Sequence, residues 1–406
     1  MFTLSMKKVF LAGGIRTPIG NFGGALSGIR TDDLAAVVLS ELLIRFPGLN
    51  SAELDDVFLG CANQAGEDNR NIARMALLLA GYHWQVPGET INRLCASGLS
   101  AAAHAYRAIA CGEANLIVAG GVEHMTRGPW VISKAGSAFG RDQQMFDSSF
   151  GWRFVNPKMK AAFGTDAMGE TAENLAEMFK ISREDQDAYA YRSQLKAADA
   201  RARGWFRAEI VPVSVPKKKD EIFNFQEDEF PRPGTTMEAL SKLKPAFRPG
   251  GTVTAGNSSG LNDGAAALLF GSNEALNKAE IRPLARIIAN SAAGAEPRIM
   301  GIGPVEASLK ALKLAGLTLS QMDVIELNEA FAAQVLACTR ELGLEDDDAR
   351  LNPNGGAIAL GHPLGMSGAR LLLTAARQLE ATGGRYALVT MCIGVGQGYA
   401  TILERA

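Results

Sequence analysis

The sequence predicts a layered α/β protein with an irregular segment set into its first part. Three observations predict it. Short apolar runs alternate with runs of helical period from Val9 to Gly121. That alternation breaks near Met125 and resumes near Thr252. A pattern running from Cys95 to Gly121 returns about 270 residues later.

Taken in order, Val9–Ala12 reads as a first strand, and Thr31-Asp32-Asp33 opens an apolar periodic run to Phe46. Acidic residues in a first turn suit the positive end of a helix. Val57–Gly60 is a second strand, Asn71–Ala80 a second helix, and Thr90-Ile91-Asn92 leads into Arg93-Leu94-Cys95-Ala96-Ser97-Gly98. A helix follows, with Leu99, Ala102, Ala103, Tyr106 and Ala110 on one face and Gly112 as its stop. Leu116–Ala119 is a strand closed by Gly120-Gly121. Mostly parallel strands are expected from this alternation.

The inserted stretch is different in kind. Arg127 to Gly164 is irregular and rich in aromatic residues, including Trp130, Phe139, Phe150, Trp152 and Phe154. Helical patterns follow at Glu170–Phe179 and Arg183–Ala202, then a polar segment with Lys217-Lys218-Lys219, read as a solvated hairpin face. A long loop of this kind inside a compact domain points to function. Beyond it come a strand at Ala265–Phe270, a helix at Pro304–Ala315, a strand at Val324–Leu327 and a helix from Asn328 onward. The late repeat is Gly365-Met366-Ser367-Gly368, a helix to Leu379, Gly383-Gly384, the strand Ala387–Met391, then Cys392-Ile393-Gly394. Two copies of one α/β unit would bring both copies' loops to a shared crevice.

Composition narrows the function. At 406 residues the chain calls for two or three packed units, and 47% hydrophobic with 21% charged residues is an ordinary soluble make-up. A formal net charge of -2 gives no support for a nucleic-acid or membrane-surface partner. No run approaches a membrane span or a signal-peptide core, so a cytoplasmic location is expected. The 5 cysteines are scattered without a C-x-x-C pair, which argues against a disulfide scaffold or zinc ribbon and for a reducing compartment.

Cys95 reads in two ways. Small residues and a helix start suit a reactive thiol, because unpaired N–H groups favour the thiolate there; a buried small hydrophobe competes with that reading. His362 lies in a glycine-rich loop, Gly355 to Gly365, where backbone can approach a ligand closely, whereas His104 reads as structural. Cys392 ends a strand, where α/β proteins place ligands. Asn328, in Asn328-Glu329-Ala330-Phe331, is either a helix N-cap or a catalytic amide. Gly256-Asn257-Ser258-Ser259-Gly260 matches G-x-S-x-G, but the residues after it read as a strand, so a serine hydrolase using Ser258 is a weak alternative. A non-catalytic binding protein is a third.

Asn92–Gly98, Gly120–Met125, Asn328–Phe331, Gly355–Arg370 and Cys392–Gly398 together resemble the thiolase family, in the family's order and over essentially the whole chain. The stretch Arg127 to Pro157 most resembles the branch acting on beta-ketoadipyl-CoA (3-oxoadipyl-CoA). The resemblance implies a five-layered αβαβα fold from two duplicated halves with an inserted loop domain. The halves would be 1–124 plus 262–283 and 284–406, with 125–261 inserted. It implies Cys95 as nucleophile, His362 as base and Cys392 as proton donor and acceptor. Asn328 with a water and His362 would form one oxyanion hole, and the N–H groups of Cys95 and Gly394 the other. Arg232 and Ser259 would contact coenzyme A, with Phe247, Met168 and Met300 as apolar walls. Acetoacetyl-CoA thiolases typically carry a histidine where this chain has Ala167, which favours a different acyl pocket. No metal or cofactor is implied beyond coenzyme A as substrate, and a homodimer or homotetramer is expected.

Overall fold

The computed structural model describes residues 6–217 and 221–406; Lys218 and Lys219 of the lysine run lie outside them. Ten strands form one sheet whose two parts repeat one plan. In the first part, Asp56–Gly60 pairs parallel with Leu116–His124, which pairs antiparallel with Asn262–Ser272, which pairs antiparallel with Val9–Arg16. In the second, Val324–Leu327 pairs parallel with Tyr386–Ile393, which pairs antiparallel with Gln397–Arg405, which pairs antiparallel with Ala285–Gly294. The parts join through Phe10↔Arg286 and Leu11↔Ala285. Glu89–Ile91 is added parallel at the first part's edge.

The expectation of mostly parallel strands is corrected. Three pairings in this sheet are parallel and the other six antiparallel. Each half ends on a hairpin-like return, for which no crossover helix is needed. In the second half that return is the short turn of Gly394, Val395 and Gly396; in the first, residues 125–261 occupy the same place, leaving and rejoining the sheet at His124↔Asp263.

Side-chain alternation sorts the strands into layers. Along Asn262–Ser272, Ala266, Leu268 and Phe270 face one core, and Ala265, Ala267 and Leu269 another. The first core also takes Ala387, Val389 and Met391 from the second half, while Leu388, Ala400 and Ile402 turn to a third. The helices Ser97–Cys111 and Leu364–Thr382 fill the shared middle layer. Thr31–Arg45 and Ile72–Leu79 cover one outer face, and Gly303–Ala315 with Ala332–Glu341 the other. Helix, sheet, helix, sheet, helix is a five-layer αβαβα fold.

The middle helices meet at glycines. A Cβ on Gly98 would stand 2.5 Å from the Gly365 carbonyl oxygen, and one on Gly368 would collide with the Leu99 backbone. No larger residue fits this crossing. It sets the starts of the two repeated helices against each other, and with them the loops of Cys95 and His362. Among the described residues no helix is long and apolar enough to cross a membrane. The insertion holds the helices Met168–Met178 and Arg183–Ala202 and a hairpin, Val213–Pro216 with Ile222–Phe225, beside which Lys217 lies over the Phe223 ring.

Candidate active site

Cys95 precedes its helix instead of lying in the first turn, since the helix starts at Ser97 with Ala96 as N-cap. Two sequence features produce the loop. Asn92 Oδ1 accepts from Leu94 N at 2.9 Å, and Ser97 Oγ accepts from Arg93 N at 2.9 Å while donating to Leu94 O at 2.6 Å. Leu94 is held at φ 47, a region that leucine rarely enters and that often marks functional sites. Cys95 as a whole is partly exposed. Burial pushes the thiol's pKa up, and the backbone N–H groups of Gly394 and of Cys95 itself, close to the sulfur, pull it back.

Gly394 belongs to the turn after Cys392, where Val395 is also in the left-handed region at φ 64. A β-branched residue there is a true outlier. Cys392 is 1% exposed; burial and then the neighbouring Cys95 thiol hold its pKa well above the ordinary thiol range. The two thiols therefore share one site. Cys392 packs with Met300, Phe331, Ala330, Val253 and Met168. Met168 also flanks Gly394, together with Leu94. Phe247 sets its ring edge-on to Phe331 at 6.1 Å and lies over Gly169, where any Cβ would collide with it. The Ser259 N–H donates to Ala330 O at 3.0 Å, which keeps that segment beside the same wall. Of the expected binding residues, Arg232 stands apart: it is exposed, its guanidinium lies over Phe230, and its N–H donates to Gln194.

His362 is buried, with Nδ1 2.7 Å from Ser367 Oγ and Nε2 3.4 Å from Asn328 Nδ2. Counting protons fixes its tautomer. The single Ser367 hydroxyl proton goes to the Pro363 carbonyl at 2.8 Å, so the hydroxyl can only accept from the ring. Nδ1 carries the hydrogen, and the Nε2 lone pair faces the Asn328 amide N–H. Burial, and then the Arg370 cation, push the His362 pKa down to about 3, so the ring is neutral, with Nε2 as its unprotonated nitrogen.

Asn328 is not an N-cap. The helix begins at Ala332, because Phe331 is extended and bridged to Ser258 and Ala332 N donates to Asn257 O. Asn328 is fully buried; its N–H donates to Thr390 O, and its Oδ1 has no partner among the described residues. Ser258 gives its hydroxyl to Thr254 O at 2.7 Å and leads into the strand Asn262–Ser272, so the hydrolase alternative has neither elbow nor base.

Three bracing residues escaped sequence reasoning. Ser367 appeared only as part of the repeat, and that repeat was its signal: Ser97 and Ser367 brace the two reactive loops in the same way. Glu329 accepts from Tyr189 and Ser193 of an insertion helix, from Asn352 and from Ile358 N, tying the Asn328 and His362 segments together. Glu123 accepts from Ala62 N and Asn63 N of the first half and Gly365 N of the second. Burial raises its pKa to about 7. Cys61, Asp68 and Glu123 are close enough to hold a metal, yet both carboxylates are spent on backbone N–H groups, which suits bracing.

Comparison with known proteins gives the family. The family description "Thiolase, N-terminal domain" matches residues 9–274 and "Thiolase, C-terminal domain" residues 281–405. The chain is 59% identical to the beta-ketoadipyl-CoA thiolase of Acinetobacter baylyi over 98% of its length and 100% of that protein's. It is 60% identical, over the same shares, to the 3-oxoadipyl-CoA/3-oxo-5,6-dehydrosuberyl-CoA thiolase of Escherichia coli. Human mitochondrial 3-ketoacyl-CoA thiolase in complex with CoA superposes with a TM-score of 0.91 at 40% identity, covering 99% of each chain. Duplicated five-layer fold, paired thiols and full-length likeness lead to one conclusion: the chain belongs to the thiolase family of acyltransferases.

Proposed function

We propose that this thiolase cleaves 3-oxoadipyl-CoA with coenzyme A, giving acetyl-CoA and succinyl-CoA through an acyl group on Cys95. The chemistry is supported by two neighbouring thiols, Cys95 and Cys392, and by a buried neutral His362 beside Asn328 whose Nε2 is unprotonated. The substrate rests on the 59% identity to a beta-ketoadipyl-CoA thiolase along nearly the whole chain.

His362 Nε2 takes the Cys95 proton, and the thiolate attacks the 3-oxo carbon. The N–H groups of Cys95 and Gly394 hold the oxyanion that forms. The bond between carbons 2 and 3 then breaks, its electron pair passing to the enolate of acetyl-CoA. His362, now carrying a proton on Nε2, and a water on Asn328 stabilise the enolate oxygen; the unspent Asn328 Oδ1 supports that water. Cys392 protonates carbon 2. Coenzyme A gives its thiol proton to the Cys392 thiolate and attacks the thioester on Cys95, which leaves as thiolate and regains the proton from His362. A thiol that must return each proton it gives is well served by an ordinary-to-high pKa. Met168, Met300 and Phe247 line the acyl and pantetheine path, with Ser259 and Arg232 toward the nucleotide.

The repeated strand order supports dividing the chain into halves 1–124 plus 262–283 and 284–406, with 125–261 inserted. Exposed Trp130, Phe139 and Phe150 on the insertion support a homo-oligomer, and the composition supports a cytoplasmic enzyme needing no metal or other cofactor. The test is mass spectrometry after mixing with acetyl-CoA: an acetyl group mapping to Cys95, absent in Cys95→Ser, is expected. Turnover is then compared on 3-oxoadipyl-CoA and acetoacetyl-CoA. Preference for acetoacetyl-CoA refutes the substrate and leaves a general acetyl-CoA acyltransferase.

A further inference from the structure

Cleavage of 3-oxoadipyl-CoA leaves Cys95 holding an acyl group with a carboxylate three bonds beyond the bound carbon. Enclosing that charge without a partner is costly, and a planar guanidinium is the side chain best matched to it. Resting on the substrate reading above, we propose that Arg153 is the anchor for the distal carboxylate and so selects dicarboxyl over plain 3-oxoacyl substrates.

Placement is the first argument. The pair Trp152-Arg153 is hydrogen-bonded to two segments that lead to the thiols. On one side Arg153 Nη2 donates to Asn63 Oδ1 at 3.0 Å. The next residue back, Ala62, accepts from Asn92 Nδ2 at 3.0 Å, and Asn92 in turn shapes the loop of Cys95 through Leu94 N. On the other side the Trp152 indole N–H donates to Asp166 O at 3.2 Å, two residues before Met168, which flanks Gly394 and packs on Cys392. Arg153 therefore stands where an acyl chain running away from Cys95 would meet the insertion.

Charge is the second. Arg153 is partly buried, and its two hydrogen bonds go to neutral acceptors, Asn63 Oδ1 and Ser148 O. Among the described residues no carboxylate lies within ion-pair distance of it. Two of its five N–H donors are spent and three remain. Other arginines nearby are neutralised: Arg127 by Glu67, and Arg298 by Asp166. The other cations between 128 and 164, Lys134, Arg141, Lys158 and Lys160, are exposed, and the last two lie on the helix Pro157–Phe163, which buries nothing. An unneutralised, half-buried, tethered guanidinium is what a carboxylate subsite requires.

The experiment measures kcat/KM on 3-oxoadipyl-CoA and on acetoacetyl-CoA for the wild type, Arg153→Gln and Arg153→Lys. Losing a charge-assisted contact should lower the ratio of the two values by about 10- to 100-fold in Arg153→Gln, with Arg153→Lys recovering part of it. A ratio within about fivefold of wild type, whether both activities fall together or neither does, overturns the proposal. Wild-type preference for acetoacetyl-CoA would instead overturn the substrate reading, so the two failures are distinct. Should Arg153→Gln not fold, wild type and Arg153→Lys are compared for the rate at which succinyl-CoA and butyryl-CoA acylate Cys95, read by mass. Equal rates for the two donors in both proteins overturn it as well.

Discussion

Replacing Ser367 by alanine tests the protonation logic of the site at a residue that touches no substrate. Ser367 Oγ sits 2.7 Å from His362 Nδ1 and 2.8 Å from Pro363 O, so it accepts the ring hydrogen while donating its own. Alanine leaves the Nδ1–H group buried without an acceptor, a loss worth about 1–3 kcal/mol. The ring then has reason to move its hydrogen to Nε2, where it would block uptake of the Cys95 proton. We expect kcat to fall about 5- to 150-fold, the same energy expressed as rate, with KM for the acyl-CoA little changed. The assays are steady-state cleavage and the single-turnover rate of Cys95 acetylation. Nitrogen-15 spectra of labelled histidine give a readout that mere loosening would not: wild type should show the Nδ1–H tautomer and Ser367→Ala a mixture. Rates within twofold of wild type, or an Nε2–H tautomer in the wild type, would refute the reasoning.

Asn328→Ala removes the amide beside His362 Nε2 and should cost about 10²–10³ in kcat while Cys95 still accepts an acetyl group; steady-state and burst kinetics separate the two. His362 also makes stability depend on pH. The unfolded chain's histidine takes a proton near 6.5 and the folded one near 3, so its contribution is complete above about pH 6.5 and is lost as pH falls toward 3. Compared by urea unfolding, wild type minus His362→Asn should lose about 2 kcal/mol between pH 7 and pH 5; a constant difference would contradict a buried neutral ring. Gly368→Ala, which forces a Cβ into the Leu99 backbone, should cost about 1–3 kcal/mol of stability and disturb the Cys95–His362 relation, so that melting temperature and acetylation rate fall together.

Much of the scaffold was legible because periodicity is a local signal. The helices starting near Thr31, Ser97 and Leu364 and the strands at Leu116 and Tyr386 follow from apolar spacing. Strand direction was not legible, since it depends on partners far apart in the chain: Asn262–Ser272 pairs with a strand that ends 138 residues earlier, at His124. Asn328 misled for a related reason. Its residue type suits an N-cap, but pairing of Phe331 with Ser258 holds the backbone extended and delays the helix to Ala332. Cys95, Cys392 and His362 stood out by chemistry, whereas Glu123 and Glu329 act through backbone and hydroxyl donors that only the folded chain brings together.

The repeat explains why one site arises from two halves. Residues about 270 apart correspond, so Ser97 answers to Ser367 and Gly98 to Gly368, and each pair does one job in both copies. Each serine folds its own loop back on its helix start, and each glycine lets the other helix approach. The reactive groups do not follow the repeat. Cys95 corresponds to Gly365, whose N–H goes to Glu123 and whose carbonyl fills the space beside Gly98 and Gly121. A side chain at 365 would strike the Gly60 and Val122 carbonyls of the first half's strands, so only one copy can carry the nucleophile. The other is left to present His362, three residues earlier, across the same crossing. Chemistry that needs a thiol and a neutral base on opposite loops thus follows from a symmetric scaffold in which close packing forbids symmetric side chains.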